Sequence, residues 1–272
     1  MYHQPRKQFA QHWLKSDKAL NQIVAAAEIS KSDRILEIGP GTGILTRRLL
    51  PLAESVVSVE IDRDLCQSLA KKLGKTENFL LLQGDILNID LEANLANFPA
   101  FQNLHKVVAN IPYNITGPIL EKLLGTISYP NPKPFDSIVL LVQKEVAERL
   151  YAKPSSKAFG ALTVRVQYLA SCELICIVPA KDFYPAPKVD SAVVRLRPHI
   201  RQTADDPKFL EALVKLGFAE KRKMLRNNLK SVIERDRLTE VLEQLEINPQ
   251  ARAEDLSLEH WVKLSNMLPI SG

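Results

Sequence analysis

The sequence is poor in cysteine and has no long apolar run. Three cysteines among 272 residues, an odd number, argue against a disulfide framework and for a reducing compartment. The longest apolar stretch, Ile138–Val142, is far too short to cross a bilayer, and the first residues lack the apolar segment of a secretory signal. Composition therefore predicts a cytoplasmic protein with no membrane segment.

The sequence also gives no indication of a metal site. Cys172 and Cys176 are four residues apart, but their neighbours are typical of a strand, and no histidine or further cysteine lies close by. A structural zinc ion usually needs four ligands. We therefore expect packed or unreactive thiols and no bound metal.

Short runs rich in Val, Ile and Leu alternate with segments of helical period between residues 30 and 137. The runs predicted as strands are Arg34–Ile38, Ser55–Ile61, Phe79–Gln83, His105–Ala109 and Ser137–Val142. This alternation implies parallel strands joined by right-handed crossovers, hence an α/β fold with a doubly wound sheet. Three further runs follow without intervening helices and predict an antiparallel edge: Leu162–Ala170, Leu174–Val178 and Ser191–Leu196.

From Asp205 onward only helical patterns remain. The predicted helices are Pro207–Phe218, Glu220–Ile233, Arg237–Glu246 and Ser257–Met267. We place a domain boundary near Pro198, which gives a sheet domain with an N-terminal arm over residues 1–198 and a small all-helical domain over residues 199–272.

A glycine-rich turn follows the first predicted strand. Gly39, Gly41 and Gly43 lie at alternate positions, and glycine lets backbone approach a ligand closely because it has no Cβ and tolerates positive φ. The helix that follows offers free N–H groups at its start. The spacing differs from the G-x-G-x-x-G of a dinucleotide pyrophosphate site, which favours a ligand without a pyrophosphate.

Polar side chains end the next three predicted strands. Glu60, 21 residues after Gly39, is placed to accept the hydroxyls of a ribose, Asp85 to receive an adenine amino group, and Asn110 ends the fourth strand. The carboxyl ends of parallel strands form the usual ligand crevice of open α/β folds, so the set predicts an adenosyl cofactor. For Asp85 taken alone, a helix cap or turn former is the alternative.

The tetrad Asn110-Ile111-Pro112-Tyr113 is suited to gripping the amino group of a nucleobase. The Asn110 side-chain oxygen can accept one amino hydrogen, and the carbonyls of Ile111 and Pro112 can accept the other. Tyr113 offers a ring on which an extruded base can lie. Such a site would localise the lone pair of the amine and act by positioning and dipoles, without a general base.

The proline-rich segment Phe183–Ser191 is a candidate second wall of the base pocket. Phe183 and Tyr184 are its two aromatic residues and lie just before its prolines. A proline-rich turn with core aromatics is an equally good interpretation from the sequence alone.

Basic residues concentrate near the C-terminus. The whole chain has a net charge of +5, and residues 215–237 carry eight basic and three acidic side chains. On the predicted helix, Arg222, Arg226 and Lys230 would share one face. A solvated helix face is the alternative, but beside a base-gripping tetrad this charge favours RNA contact.

The chain resembles a known enzyme family over nearly its whole length. Its strand-end residues are similar to those of class I S-adenosylmethionine-dependent methyltransferases, which implies a Rossmann-like fold. Its motifs occur in the order found in the bacterial small-subunit ribosomal RNA adenine dimethyltransferases, the kasugamycin-sensitivity methyltransferases. These motifs are Gln11–Asp17, Glu37–Gly43, Gly84–Asp85, Asn110–Ile115, Phe183–Ser191 and Phe218–Leu229.

The resemblance implies transfer of methyl groups from S-adenosyl-L-methionine to two adjacent adenosines in the 3′-terminal hairpin loop of 16S ribosomal RNA, within a precursor of the 30S subunit. A monomer is expected. Trp13, where the family commonly has Phe, is expected to pack as a lid on the methionine end of the cofactor. The residues implied around the cofactor are His12, Leu14, Gly39, Gly41, Glu60, Asp85 and Asn110. Those expected at the base are Asn110, Ile111, Pro112, Tyr113 and Phe183, and those expected to contact RNA are Tyr184, Lys188, Lys221, Arg222, Lys223, Arg226 and Lys230.

Other functions fit parts of the sequence. A 23S ribosomal RNA adenine dimethyltransferase, of the kind that gives macrolide resistance, shares the core motifs but lacks the Phe183–Ser191 signature. A DNA adenine methyltransferase would usually have proline where Ile111 stands. A non-catalytic ribosome-assembly checkpoint factor is disfavoured by the intact glycine turn and strand-end residues.

Overall fold

The computed structural model describes residues 5–6, 11–199 and 203–268. The strands are β1 Trp13–Leu14, β2 Arg34–Ile38, β3 Ser55–Glu60, β4 Phe79–Gln83, β5 Lys106–Asn110, β6 Ser137–Gln143, β7 Ala170–Val178, β8 Phe183–Tyr184 and β9 Ser191–Pro198. The helices are α1 Asp17–Ala26, α2 Thr46–Leu49, α3 Arg63–Leu73, α4 Leu91–Leu95, α5 Thr116–Leu124, α6 Lys144–Leu150, α7 Ala161–Leu169, α8 Pro207–Gly217, α9 Leu225–Asn228, α10 Arg235–Gln244 and α11 Leu258–Met267.

The main sheet has the strand order β4-β3-β2-β5-β6-β9-β7. Strands β2 to β6 are parallel, and β9 runs antiparallel to β6. The order reverses between β2 and β5, and in open α/β sheets such a switch point is where ligands bind. The predicted doubly wound sheet with an antiparallel edge is confirmed, as are its first five strands to within one or two residues.

The central strands are buried on both faces, as parallel strands covered by helices must be. All six residues of β3 are buried, and only the last residue of β6 is not. Two polar side chains inside this apolar layer pair with each other, since the Ser58 hydroxyl donates to the Glu37 carboxylate at 2.6 Å. The sheet thus gives the strand ends at the switch point a rigid base.

The N-terminal arm, which is the part of the chain before α1, pairs with the proline-rich segment Phe183–Ser191. β1 pairs with β8 in antiparallel register, with Trp13 opposite Tyr184 and Leu14 opposite Phe183. The Lys15 N–H donates to the Asp182 carbonyl at 2.7 Å. α1 follows, with Ser16 as its N-cap, a helix that the sequence analysis did not propose. The two strands form a separate two-stranded sheet and join segments that lie about 170 residues apart in sequence.

The strand predicted at Leu162–Ala170 is wrong, because residues 162–169 belong to α7 and β7 begins only at Ala170. Apolar residues at every second position suggested a strand, but the helix is buried on most sides and its polar residues are not on a solvent face. The Thr163 hydroxyl donates to the Arg149 carbonyl at 2.7 Å, and the Gln167 amide donates to the Ala152 carbonyl at 2.9 Å. Tertiary packing therefore overrides the alternating pattern.

The helix predicted at Glu220–Ile233 is also wrong. Residues 219–223 form bends and turns, and only α9 is helical in this segment. The chain is extended at Met224, which forms an isolated β-bridge with Arg252, and the Leu225 N–H donates to the Ala251 carbonyl at 2.9 Å. These contacts with a later segment satisfy backbone groups that a continuous helix would have used.

The chain divides into two compact units. The first comprises Met1–Leu123, Lys133–Ala147 and Glu173–Arg197, and the second comprises Leu124–Pro132, Glu148–Cys172 and Pro198–Gly272. The expected boundary near Pro198 coincides with the last of these cuts. Two earlier segments belong to the second unit: α7, in Glu148–Cys172, packs against α8 and α11, and the Ser128 N–H, in Leu124–Pro132, donates to the Glu211 carboxylate of α8 at 3.0 Å. In the described part of the chain, no helix is long and apolar enough to cross a membrane.

Candidate active site

A cavity of about 320 Å³ opens in the first unit at the carboxyl ends of β2 to β5. This is the position expected for a ligand in a sheet with this strand order. The predicted site residues that line it are His12, Gly39, Gly41, Glu60, Asp85, Asn110, Ile111, Pro112 and Tyr113. The structure thus brings the glycine turn, three strand-end side chains and the tetrad together in one crevice.

The glycine turn needs its glycines. Gly39, Gly41 and Gly43 all have positive φ, between 58° and 79°, where side chains with a Cβ are strained. A Cβ on Gly43 would lie 2.7 Å from the Leu69 side chain, and one on Gly41 would lie 3.4 Å from Trp13 Cδ1. The turn therefore packs closely between α3 and the N-terminal arm.

Glu60 links the glycine turn to the start of α3. One carboxylate oxygen accepts the Gly41 N–H at 3.1 Å, and the other accepts the Asp62 N–H at 2.9 Å. Burial raises the pKa of Glu60, and the two N–H groups partly oppose that rise. Each oxygen keeps a further lone pair, so the carboxylate is fixed in place and can still accept ribose hydroxyls.

Asp85 forms a turn at the end of β4 and also lines the cavity. Its oxygens accept the Leu87 N–H at 2.9 Å and the Asn88 amide at 2.8 Å. The turn-forming role, which the sequence offered as an alternative, is therefore present. It does not exclude contact with a nucleobase, because each carboxylate oxygen can accept a second hydrogen bond.

Asn110 has a defined orientation at the end of β5. Its side-chain nitrogen donates to the His12 carbonyl at 3.2 Å. The amide nitrogen is thus turned towards the N-terminal arm, which leaves the side-chain oxygen as a hydrogen-bond acceptor. Binding the amino group of a nucleobase requires a hydrogen-bond acceptor at this position.

Tyr113 is held on two sides. Its hydroxyl lies 2.5 Å from the Ser191 hydroxyl, and the His12 ring stacks on its ring with centroids 5.6 Å apart and planes 17° apart. Burial raises the pKa of Tyr113, so it stays a neutral phenol at physiological pH. The ring is a rigid platform of the kind on which a base can stack.

Phe183 does not line this cavity. It is 1% exposed and belongs to the main hydrophobic core, together with Leu14. That placement agrees with the alternative interpretation, a proline-rich turn with a core aromatic. Tyr184, which is 56% exposed, and Lys188 point to solvent from the same segment. The structure therefore offers His12 and not Phe183 as the ring next to Tyr113.

A smaller cavity of about 30 Å³ lies under the glycine turn and is lined by Trp13, Leu14, Glu37, Gly41 and others. Trp13 Nε1 and Glu37 Oε1 are both buried, and neither has a hydrogen-bond partner within the described residues. Burial raises the pKa of Glu37 to about 7. An unpaired donor and an unpaired acceptor fit a ligand end that carries both a carboxylate and an ammonium group.

Comparison with known proteins decides the family. The model of the family described as ribosomal RNA adenine dimethylase matches residues 2–269. The chain belongs to this family. A protein of Nostoc sp., named ribosomal RNA small subunit methyltransferase A, is 74% identical over 267 residues, which cover 98% of each chain.

Two solved structures show the same fold over almost the whole dimethylase. A dimethyladenosine transferase from Plasmodium falciparum has a TM-score of 0.77 at 30% identity and covers 93% of this chain and 95% of its own. The 23S rRNA methyltransferase ErmE has a TM-score of 0.73 at 28% identity and covers 94% of this chain and 99% of its own. These matches confirm the predicted class I fold, the enzyme class and S-adenosyl-L-methionine as the cofactor.

The orphan polar atoms and the glycine cradle fit this cofactor. Gly41, Glu60 and Asp85 would hold its nucleoside part, and Trp13 and Glu37 its amino-acid end. When bound, the cofactor supplies an electrophilic methyl group on a sulfonium. Within the described residues, no group of three or more His, Cys, Asp and Glu side chains is arranged to hold a metal ion.

In the dimethylase, the basic residues predicted at positions 221–230 belong to the second unit and lie in the turns before α9, in α9 and just after it. Because the predicted helix is absent, Arg222, Arg226 and Lys230 do not share a helix face. Lys223 pairs with Glu220 at 2.7 Å. Lys221, Arg222, Arg226 and Lys230 form no ion pair with a carboxylate in the described ranges, and all but the half-buried Arg226 are exposed. We call these four residues the basic turn.

Sequence reasoning missed three residues that shape the crevice. Gln11 donates to the Asp62 carboxylate at 3.1 Å and so ties the arm to the start of α3. Glu37 is a charged residue flanked by the apolar residues Leu36 and Ile38 in the buried part of β2, and this pattern is the signal that could have indicated it. Ser191 positions Tyr113, and nothing in the local pattern indicates that contact, because the two residues are 78 apart in sequence.

Proposed function

We propose that this dimethylase transfers methyl groups from S-adenosyl-L-methionine to the amino nitrogens of two adjacent adenosines in the 3′-terminal hairpin loop of 16S ribosomal RNA. The substrate would be a precursor of the 30S subunit, and the protein would act as a cytoplasmic monomer. The name of the 74% identical relative supports the small subunit as target. The 23S methyltransferase has the same fold but only 28% identity, so the large subunit is the weaker candidate.

The orientation of Asn110 is the observation that carries the proposal. Its amide nitrogen is occupied by the His12 carbonyl, so its oxygen can accept one hydrogen of the adenine amino group. The carbonyls next to it in the tetrad can accept the other hydrogen. An amino group held by two acceptors loses conjugation with the ring, and its lone pair becomes available to the methyl carbon.

The crevice needs no strong base for this reaction. The attacking nitrogen becomes acidic as its bond to the methyl carbon forms, and the acceptors that hold its hydrogens stabilise the growing positive charge. Tyr113 contributes a flat apolar surface that binds a base taken out of its stack. Its role is to position the base, since its phenol is engaged with Ser191.

The basic turn supports RNA as the substrate. Its four cations lack carboxylate partners within the described chain, so phosphates can bind without displacing an existing ion pair. Tyr184 and Lys188 offer an exposed ring and a further cation beside the crevice in the first unit. Contacts with the phosphate backbone of the RNA would give affinity, and the crevice would recognise the two adenosines.

The decisive experiment is incubation of the protein with labelled S-adenosyl-L-methionine and with small or large subunits from a strain that lacks these methyl groups, followed by mapping of the labelled bases. We expect label on two adjacent adenosines of the small-subunit RNA. Label confined to large-subunit RNA would instead establish the 23S activity. Binding to small subunits without any label would establish the checkpoint alternative.

A further inference from the structure

His12 contacts three separate parts of the crevice. Its backbone carbonyl accepts the Asn110 amide N–H at 3.2 Å, its ring stacks on Tyr113, and its Nδ1 lies 2.7 Å from the Pro185 carbonyl. The resemblance implied only a contact with the cofactor for this residue. The observed contacts all lead to the base side of the crevice.

The contact with Asn110 decides which end of the amide faces the substrate. An amide turned by 180° would present N–H groups to the adenine amine, which is itself a donor in this interaction. Because the His12 carbonyl can only accept, it stabilises the orientation in which Asn110 points its oxygen into the crevice. The backbone position of His12 therefore determines that the oxygen of the Asn110 amide, and not its nitrogen, faces the adenine amine.

The imidazole adds a third anchor to that backbone position, besides the Gln11–Asp62 bond and the β1–β8 pairing. A carbonyl oxygen cannot donate, so the bond to Pro185 requires that Nδ1 carries a hydrogen. This bond ties the arm to the proline-rich segment one residue beyond the β1–β8 pairing. The ring also lies against Tyr113, which Ser191 holds from its hydroxyl end. The imidazole thus anchors the carbonyl that orients Asn110.

We propose that His12 is a positioning residue for the methyl acceptor: its imidazole N–H anchors the arm to the Pro185 carbonyl, so that its own carbonyl holds the Asn110 amide with the oxygen towards the adenine amine. This proposal rests on the proposed function, because it assigns a role in holding that amine. Loss of a positioning residue lowers kcat, whereas loss of a cofactor contact raises the KM or Kd for the cofactor.

Three substitutions separate the parts of the proposal. His12→Phe keeps a ring against Tyr113 but removes the N–H, His12→Leu removes both, and His12→Asn keeps a short side chain with an N–H donor. We expect kcat at saturating cofactor and RNA to fall about 20- to 100-fold in the Phe and Leu variants, the range for a misplaced reacting group. The Asn variant should stay within about fivefold of the wild type.

Cofactor affinity is the second readout. The arm keeps its β-pairing and the Gln11–Asp62 bond in every variant, so the Kd for S-adenosylhomocysteine, measured by calorimetry, should change less than about threefold. That measurement also shows that each variant is folded, and His12→Phe covers the case in which the Leu variant is not.

Two results would overturn the proposal. One is a raised KM or Kd for the cofactor with an unchanged kcat, which would make His12 a cofactor contact only. The other is an Asn variant as impaired as the Phe variant, which would remove the N–H from the argument. A wild-type protein that labels no adenosine would instead contradict the proposed function, so the two failures are distinguishable.

Discussion

The crevice of the first unit and the basic turn of the second unit hold their polar groups in opposite ways. In the crevice, Asn110, Glu60, Asp85 and Tyr113 each have a hydrogen-bond partner in the protein. In the basic turn, the four cations lack carboxylate partners within the described ranges. The crevice is built before a ligand arrives, whereas the basic turn presents cations without carboxylate partners among the described residues.

The difference matches the two functions proposed for these regions, catalysis in the crevice and binding of RNA phosphates at the basic turn. Chemistry at an amine requires donors and acceptors fixed within a fraction of an ångström, which only prior hydrogen bonds and packing provide. Attraction to a phosphate backbone depends on the number of charges more than on their exact placement. Substitutions in the crevice should therefore change turnover, and substitutions in the basic turn should change affinity and its dependence on salt.

Of the substitutions considered, Asn110→Ala in the crevice should have the largest effect, a loss of turnover. We expect kcat to fall about 10³-fold, the size seen when one charge-stabilising contact is removed, with subunit binding within about threefold of the wild type. A radiolabel assay and a filter-binding assay measure the two quantities. Asn94→Ala, on the exposed surface of α4, is the matched control and should retain full activity. Full methylation by the Asn110 variant would contradict the proposal that the Asn110 oxygen binds the adenine amino group.

Glu37→Gln tests how well the base of the crevice is shielded from water. In the folded protein the pKa of Glu37 is raised to about 7, mainly by burial, from its ordinary value of 4.5. Between these values the folded state keeps a proton that the unfolded state has released. The free energy of unfolding therefore falls as the pH rises through this window, by on the order of 3 kcal/mol.

The glutamine variant has no such titration, so its unfolding free energy should gain about 3 kcal/mol relative to the wild type between pH 5 and pH 8. Urea denaturation at the two pH values measures this difference. The exposed Glu77→Gln serves as the control and should follow the wild type. Parallel behaviour of the Glu37 variant and the wild type would show that the carboxyl is hydrated.

Neutral replacement of Arg222, Arg226 and Lys230 sharpens the other side of the comparison. We expect about tenfold weaker binding to small subunits at physiological salt, and a slope of log K against log salt that is smaller by up to about 2 units. Turnover at saturating RNA should stay close to that of the wild type. Titrations at several salt concentrations measure the slope, and an unchanged slope would assign these side chains to solvent.

The sequence predicted the crevice better than it predicted the basic turn, for a physical reason. Parallel strands carry their ends to one edge whatever the details of the intervening helices, so the order of Gly39, Glu60, Asp85 and Asn110 was enough to place them together. The helix expected at residues 220–233 failed because Met224 and Leu225 bond to residues 251 and 252. Local periodicity contains no information about such a partner.

The contacts that refine the crevice could not be read from local patterns either. Ser191 meets Tyr113, and His12 meets Pro185, across separations of 78 and 173 residues. Phe183 shows the same limit, since an aromatic residue in a proline-rich segment suits a pocket wall and a core equally. Only the packing of β8 and β1 over the first unit decides that Phe183 is buried.

Trp13→Phe, the smallest expected effect, tests a buried polar atom at the glycine turn that lacks a hydrogen-bond partner among the described residues. The indole N–H is buried beside the glycine turn without an acceptor among the described residues. If it donates to the carboxylate at the amino-acid end of the cofactor, its loss should weaken binding of S-adenosylhomocysteine about five- to tenfold. The affinity for methylthioadenosine, which has no amino-acid end, should not change. Calorimetry with both ligands measures the difference, and equal weakening of both would show that the indole acts by packing against Gly41 and not through its N–H.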